Sequence, residues 1–264
     1  MRRLSLIGFC VLATLASLVR ADEDSAVAVL KQLRAKVVRD DKLPGKPVVE
    51  VDLRGTDAEN ADLAPLQELK SLRTLDVRGT MVTGSGLKVL EGLKNIQLVR
   101  LNEEQTNDKA IKTLRDIGML HALSGAADKE GKRPKNASEV QSLDLSKCHV
   151  TGTGVAELAD LKNLQALNLA DSLVIDRHLQ DLRFLKNLNT LTLGRNQVTL
   201  AGLKNLQENG QLHALWCASA ADGKRPKAPE DVLTLNLRGI KISPETVGVF
   251  RAFRNLNEIG RAHV

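Results

Sequence analysis

The chain predicts an α/β solenoid, with short parallel strands on one side, helical or 3-10 return segments on the other, and leucines between the two layers. Three observations carry that fold class. Between Gln141 and Thr199 one phrase is written almost three times: QSLDLSKCHVTGTGVAELADLKNL, QALNLADSLVIDRHLQDLRFLKNL, NTLTLGRNQVTLAGLKNLQ. Its period of about 24 residues is of the length that marks a repeat architecture. Within the phrase, Leu143 and Leu145 are two apart and point to one face of a strand, whereas Leu158, Leu161 and Leu164 follow at the spacing of a helical turn. Neither half can bury its apolar side alone, so successive coils must stack and share one interior.

Taken in order, Arg2 and Arg3 precede an apolar run, Leu4 to Val19, and Val19-Arg20-Ala21 places small residues at a cleavage site before Asp22-Glu23-Asp24. That is the pattern of a secretory signal peptide over residues 1–21. The run from Leu4 to Val19 falls short of the ~20 residues that span a bilayer as a helix. No transmembrane span is therefore expected after cleavage. Asp24 to Val38 carries Val27, Leu30, Leu33, Val37 and Val38 at helical spacing behind the capping residues Asp24 and Ser25, which predicts an N-terminal cap helix. Asp40 to Pro47 then reads as a connector, so residues 22–47 form the cap and residues 48–257 about nine coils.

The strand positions are Val51, Leu75, Val99, Leu123, Leu143, Leu167, Leu191, Leu215, Leu235 and Ile259. The steps keep one period except at Leu123–Leu143 and Leu215–Leu235, where each is four positions shorter. Those two steps expose a tandem duplication. LHALSGAADKEGKRPKNASEVQSLDL matches LHALWCASAADGKRPKAPEDVLTLNL, at an offset that carries Leu120 onto Leu212. In each short coil a Gly/Lys/Pro segment replaces the leucine-bearing return helix, so the outer layer is expected to have gaps at regular intervals. Elsewhere Thr83, Thr151, Thr199 and Ser243 stand as helix caps, and Thr56, Thr80, Cys148, Ser172 and Asn196 occupy a turn where a small polar group can satisfy the backbone.

With those residues in hand, the chain resembles leucine-rich repeat proteins. The phrase from Thr74 to Ile96, TLDVRGTMVTGSGLKVLEGLKNI, is similar to the repeats of the same length in bacterial secreted and cell-envelope members. The likeness extends from Val48 to Leu256. It implies a horseshoe whose concave sheet is the usual binding surface, and it brings no shared catalytic residues and no cofactor.

Charge and chemistry narrow the function further. Losing residues 1–21 removes Arg2, Arg3 and Arg20 and no acid, taking the formal charge from +6 to +3. So balanced a chain has no overall pull toward nucleic acid or membrane. Cys148 and Cys217 remain, about three coils apart, too far for a bridge and better read as packed thiols. Neither G-x-S-x-G nor H-E-x-x-H occurs, and the glycine-rich TGTG at 151–154 falls on the ordinary turn of the repeat rather than in a phosphate loop. Cys148-His149 and Asp176-x-His178 do not converge as metal ligands. No enzymatic activity, metal or cofactor is expected.

Candidate binding residues follow from strand alternation. Asp52, Asp76 and Arg100 lie mid-strand on the concave side, with Arg54, Arg78 and Arg238 one step further along. They serve either as a polar patch for a charged partner or as mutually neutralising pairs that keep the sheet soluble. Trp216 is the only tryptophan in a chain with no tyrosine; it is either a binding anchor or a cover packed over Ala214 and Ala218. Two basic segments, with Lys132, Arg133 and Lys135 in one and Lys224, Arg225 and Lys227 in the other, should protrude four coils apart, roughly 19 Å at ~4.8 Å per coil. They could meet an anionic polymer, or simply solvate a loop that replaced a helix.

The resulting expectation is an exported, monomeric, non-catalytic module, periplasmic, extracellular or in the cell envelope, that binds a protein or envelope polymer on its concave face. The alternatives are a structural spacer within a longer envelope protein and a substrate-recognition subunit resembling ubiquitin-ligase repeat adaptors. Residues 258–264 abandon the repeat and back-translate to the start of a common sequencing adapter, so they are read as a sequence artefact with further coils beyond Asn257.

Overall fold

The computed structural model describes residues 22–194, 197–237 and 244–260. Residues 1–21, where a signal peptide is expected, lie outside them, as do Asn196, Arg238, Ser243 and residues 261–264. The chain divides into two units, one ending at Leu101 and one opening at Asn102.

The first unit opens with a helix, α1, over residues 22–32, followed by strand β1 (Lys36–Arg39). This corrects the cap helix expected through Val38. Arg34 adopts φ 62, a left-handed conformation that ends a helix, and the β-branched pair Val37-Val38 then favours a strand. β1 runs antiparallel to β2 (Val48–Asp52), closing one edge of a sheet that continues in parallel through β3 (Thr74–Asp76) and β4 (Leu98–Arg100). Val51, Leu75 and Val99 pair in register and are fully buried. The 3-10 segments Asn60–Glu68 and Gly86–Leu90 return the chain, burying Leu63, Leu66, Leu87 and Leu90 against that row.

The second unit repeats the scheme. Helix α2 (Asp108–Asp116) leads into a short coil whose strand β5 (Ala126–Ala127) pairs antiparallel with β6 (Ser142–Asp144). Then come α3 (Gly152–Ala156), β7 (Ala166–Asn168), a 3-10 segment Asp176–Phe184, β8 (Thr190–Thr192) and α4 (Leu200–Glu208). β6, β7 and β8 are parallel, and Leu143, Leu167 and Leu191 stand side by side in one interior. The second short coil places β9 (Ala218–Ser219) antiparallel to β10 (Thr234–Asn236). α5 (Pro244–Val249) and β11 (Glu258–Gly260) follow, with Ile259 paired to Leu235.

The short coils depart from expectation in two ways. Leu123 does not continue a parallel strand: Leu120–Ala122 is a 3-10 turn, and the chain folds back as a hairpin into β6. Gly125 permits this, because a Cβ there would collide with the Asp144 carbonyl. Nor does the return layer open a gap. Asp108 on α2 accepts from the Thr151 N–H (2.7 Å) and hydroxyl (2.5 Å), so α2 and α3 close over the short coil between them; α4 packs on α5 likewise.

One residue type ties coil to coil, and another closes the turn within each coil. The asparagine of the repeated x-N-[L/I] ending donates to a carbonyl 25 residues earlier: Asn95 to Lys70, Asn163 to Ser138, Asn187 to Lys162 and Asn255 to Glu230, all at 2.7–2.8 Å. The turn hydroxyls behave as their position predicts, with Thr56, Thr80 and Ser172 donating to Leu53, Val77 and Leu169 carbonyls.

Candidate functional site

The sheet of the first unit presents a grid of side chains on its open face. Antiparallel and parallel register place Lys36 opposite Asp52, Asp52 beside Asp76, and Asp76 beside Arg100. Toward the other strand ends, Val38, Glu50, Thr74 and Leu98 form a second row. Arg54 and Arg78 follow Asp52 and Asp76 at two-residue spacing and fold back over them.

The carboxylates lie beneath the guanidiniums. Arg54 grips Asp52 with two arms, Nε to Oδ1 at 3.0 Å and Nη2 to Oδ2 at 2.8 Å. Arg78 grips Asp76 in the same way, at 3.0 and 2.7 Å. Asp76 also lies 3.4 Å from Arg54 and 3.9 Å from Arg100, and Arg100 reaches Glu50 at 3.6 Å. The Asp52 and Asp76 side chains are 14% and 2% exposed, against 52%, 42% and 34% for Arg54, Arg78 and Arg100. Two-armed pairs are among the strong charge-assisted bonds, and they fix long side chains that would otherwise lose rotamer freedom on binding. The Arg54 hydrogen bond pulls the Asp52 carboxyl down from 3.8 to about 2, and the same contacts push the Arg54 and Arg78 guanidiniums up. Both expected ladders are thus present, as rungs of one ionic lattice in which the arginines cover the aspartates and Glu50, 38% exposed, stands beside Arg100.

The remaining candidates belong to the second unit. Trp216 follows Leu215, which bridges to Leu191, so it holds the register position of Thr192 in the preceding coil. It is half-buried, its N–H donates to the Leu191 carbonyl at 2.9 Å, and its own carbonyl accepts from Arg225 at 3.0 Å. Lys132, Lys135, Lys224 and Lys227 are exposed, but the two arginines of the basic segments do not protrude. Arg133 turns inward to the carbonyls of His121, Leu123, Ser124 and Ala126. Arg225 binds those of Ala214, Leu215, Trp216, Ala218 and Asn189. The hairpin leaves carbonyls without strand partners, and a guanidinium with five N–H donors is the side chain that can collect them. Burial lowers the Arg225 pKa. Each basic segment is therefore a structural clasp with lysines at its rim.

Cys148 and Cys217 are both free thiols, pushed up to about 11 by burial. Among the described residues no three His, Cys, Asp or Glu side chains are grouped to hold a metal ion, and no helix is long and apolar enough to cross a membrane.

A family model described as Leucine Rich repeat matches residues 139–159. No curated protein matches. Among solved structures, an internalin C2 from Listeria monocytogenes is 19% identical, with 81% of this chain and 80% of that one covered and a TM-score of 0.41. A Listeria monocytogenes internalin, inlF, is 14% identical over 91% and 89%, with a TM-score of 0.36. TLR13, solved in complex with ssRNA13, is 20% identical over 81% of this chain and 32% of that one, with a TM-score of 0.42.

Proposed function

The chain is a leucine-rich repeat protein, and from that premise we propose that it is an exported, non-catalytic module that binds a partner protein on the open sheet face of its first unit. One observation carries the reading: Arg54 and Arg78 lie over Asp52 and Asp76, so the exposed charges of these two pairs are guanidiniums. Export is supported by the leader pattern of residues 1–21, and a non-catalytic role by a sequence that carries neither G-x-S-x-G nor H-E-x-x-H.

Capture of partners from the cell of origin tests it, with residues 22–264 as bait beside an Arg100→Glu variant and a Trp216→Ala variant. Arg100 has the loosest contacts of the three arginines, so its replacement should leave the fold intact. A protein recovered by the wild-type chain and lost with Arg100→Glu supports the face. Equal recovery with all three baits favours a spacer role, and loss with Trp216→Ala alone moves the site to the second unit.

A further inference from the structure

Where α1 turns into β1, the sheet face of the first unit ends in a recess of about 460 Å³ lined by Gln32, Leu33, Arg34, Arg54, Gly55, Thr56 and Asp57. A second hollow of about 340 Å³ adjoins it, sharing Arg34, Arg54 and Gly55 and adding Lys36 and Asp52. The space exists for identifiable reasons. Gly55 sits at φ 68 with nothing within 4 Å of where a Cβ would stand, so no side chain fills the hollow from below. Arg34 is carried to the rim by its own left-handed turn at φ 62, and Lys36 is aimed at the same side by its pairing with Asp52.

We propose that this recess receives a carboxylate from an acidic, extended segment of the partner protein, which then runs across the guanidinium row of Arg54, Arg78 and Arg100. The proposal rests on the sheet face being the binding surface and adds the chemistry of what binds there. Asp52 is already engaged by both arms of Arg54, so an incoming carboxylate meets Arg34 and Lys36 as its counter-charges. Asp57, which also lines the recess, disfavours a dense polyanion. So does the balance of the face: Arg34, Lys36, Arg54, Arg78 and Arg100 stand against Glu50, Asp52, Asp57 and Asp76, five cations to four acids. A polyphosphate chain would press charge against Glu50 and Asp57, whereas a peptide can space its carboxylates. The flanking row also offers exposed Val38 and half-buried Leu98, apolar contacts that suit aliphatic side chains between the acids.

Fluorescence anisotropy tests the proposal directly. The probe is a labelled ten-residue peptide of alternating Glu and Val, compared with a Gln–Val peptide of the same length and with sodium polyphosphate as competitor. The full mature chain should bind the Glu–Val peptide, lose at least tenfold in affinity with Arg34→Glu/Lys36→Glu, and retain binding with Arg34→Lys/Lys36→Arg. Rising salt should weaken the complex, because exposed charges are screened beyond a Debye length of ~8–10 Å. Binding of the Gln–Val peptide with equal affinity, or indifference to the Glu pair, would overturn the recess as a carboxylate site. Displacement by polyphosphate at fewer charge equivalents than unlabelled peptide would overturn the peptide in favour of a polymer. If the Glu–Val peptide fails while Arg100→Glu still abolishes capture of a cellular partner, the partner chemistry is wrong and the binding face stands. If capture also survives Arg100→Glu, the binding face falls with it.

Discussion

Asp52 illustrates how a single guanidinium sets the charge state of an acid on an open sheet. Its carboxyl, ordinarily near 3.8, is drawn to about 2 by the hydrogen bond from Arg54, with Lys36 adding a weaker through-space attraction. A pKa depressed in the folded state means that folding favours the ionised form, so the stabilisation is complete above about pH 4 and disappears as pH falls toward 2. Urea unfolding midpoints measured from pH 5 to pH 2 should therefore drop more steeply for the wild-type chain than for Asp52→Asn. Parallel curves would show that Arg54 does not engage Asp52 in solution. The ladder behind this effect is readable in the residues themselves, since Asp52/Asp76 and Arg54/Arg78 recur one repeat apart on one side of adjacent strands. Which sign faces the solvent is not. That depends on side-chain length, because a short aspartate stays at the sheet surface while an arginine can arch over it.

Among the elements, the helix starts show how one coil is locked to the next. Thr151 caps α3 by accepting from the Thr153 N–H, and Thr199 caps α4 by accepting from Gly202. Both roles follow from the cap rule. Their second partners do not: Asp108 receives the Thr151 N–H and hydroxyl, Asp176 receives the Thr199 hydroxyl at 2.6 Å, and Asn60 receives the Thr83 N–H at 2.8 Å. Gly154, Gly202 and Gly86, each three positions past its threonine, leave room for these side chains, and a Cβ on Gly154 would collide with the Asp108 carboxylate. Gly154→Ala should gain about 1 kcal/mol in helix propensity yet lower stability overall, because Asp108 is pinned by two bonds and cannot yield. In an Asp108→Ala background the same glycine change should cost less, with the contact to Val150 Cγ1 at 2.9 Å remaining. Additive effects in that double-mutant cycle, measured by urea unfolding, would count against the clasp. The pattern leaves a trace in the sequence, since an acid or amide precedes each T-x-x-G. It is obscured because Asp108 and Thr151 are 43 residues apart rather than 23, and a fixed period hides a contact that skips a coil. The strand at Val37-Val38 is hidden for a similar reason: only the neighbouring β2 makes a strand there preferable to more helix.

Across the second unit, the duplicated short coil determines where cooperativity is weakest. β6, β7 and β8 form a continuous parallel ladder, but beyond β8 the sheet continues only through the Leu191–Leu215 bridge before the β9–β10 hairpin begins. Arg225 spans that interruption. Its Nη2 reaches the Asn189 carbonyl at 3.1 Å and its Nε the Thr190 hydroxyl at 3.2 Å, while the rest of the guanidinium gathers carbonyls from Ala214 to Ala218. In a stacked-coil protein stability is close to a sum of coil and interface terms, so removing one interface uncouples what lies beyond it. Arg225→Ala leaves several carbonyls unsatisfied, at a cost of roughly 1–3 kcal/mol for each buried group that water cannot reach. Hydrogen exchange read by mass spectrometry should then show lost protection over 212–236 with β6–β8 still protected. Fluorescence of Trp216, the only tryptophan, should report a transition at lower urea than circular dichroism does. Arg225→Lys should behave nearly as badly, because one ammonium cannot reproduce a planar fork of five donors. Uniform loss of protection from β6 to β10 would instead make the second unit one cooperative block, with Arg225 one bond donor among many.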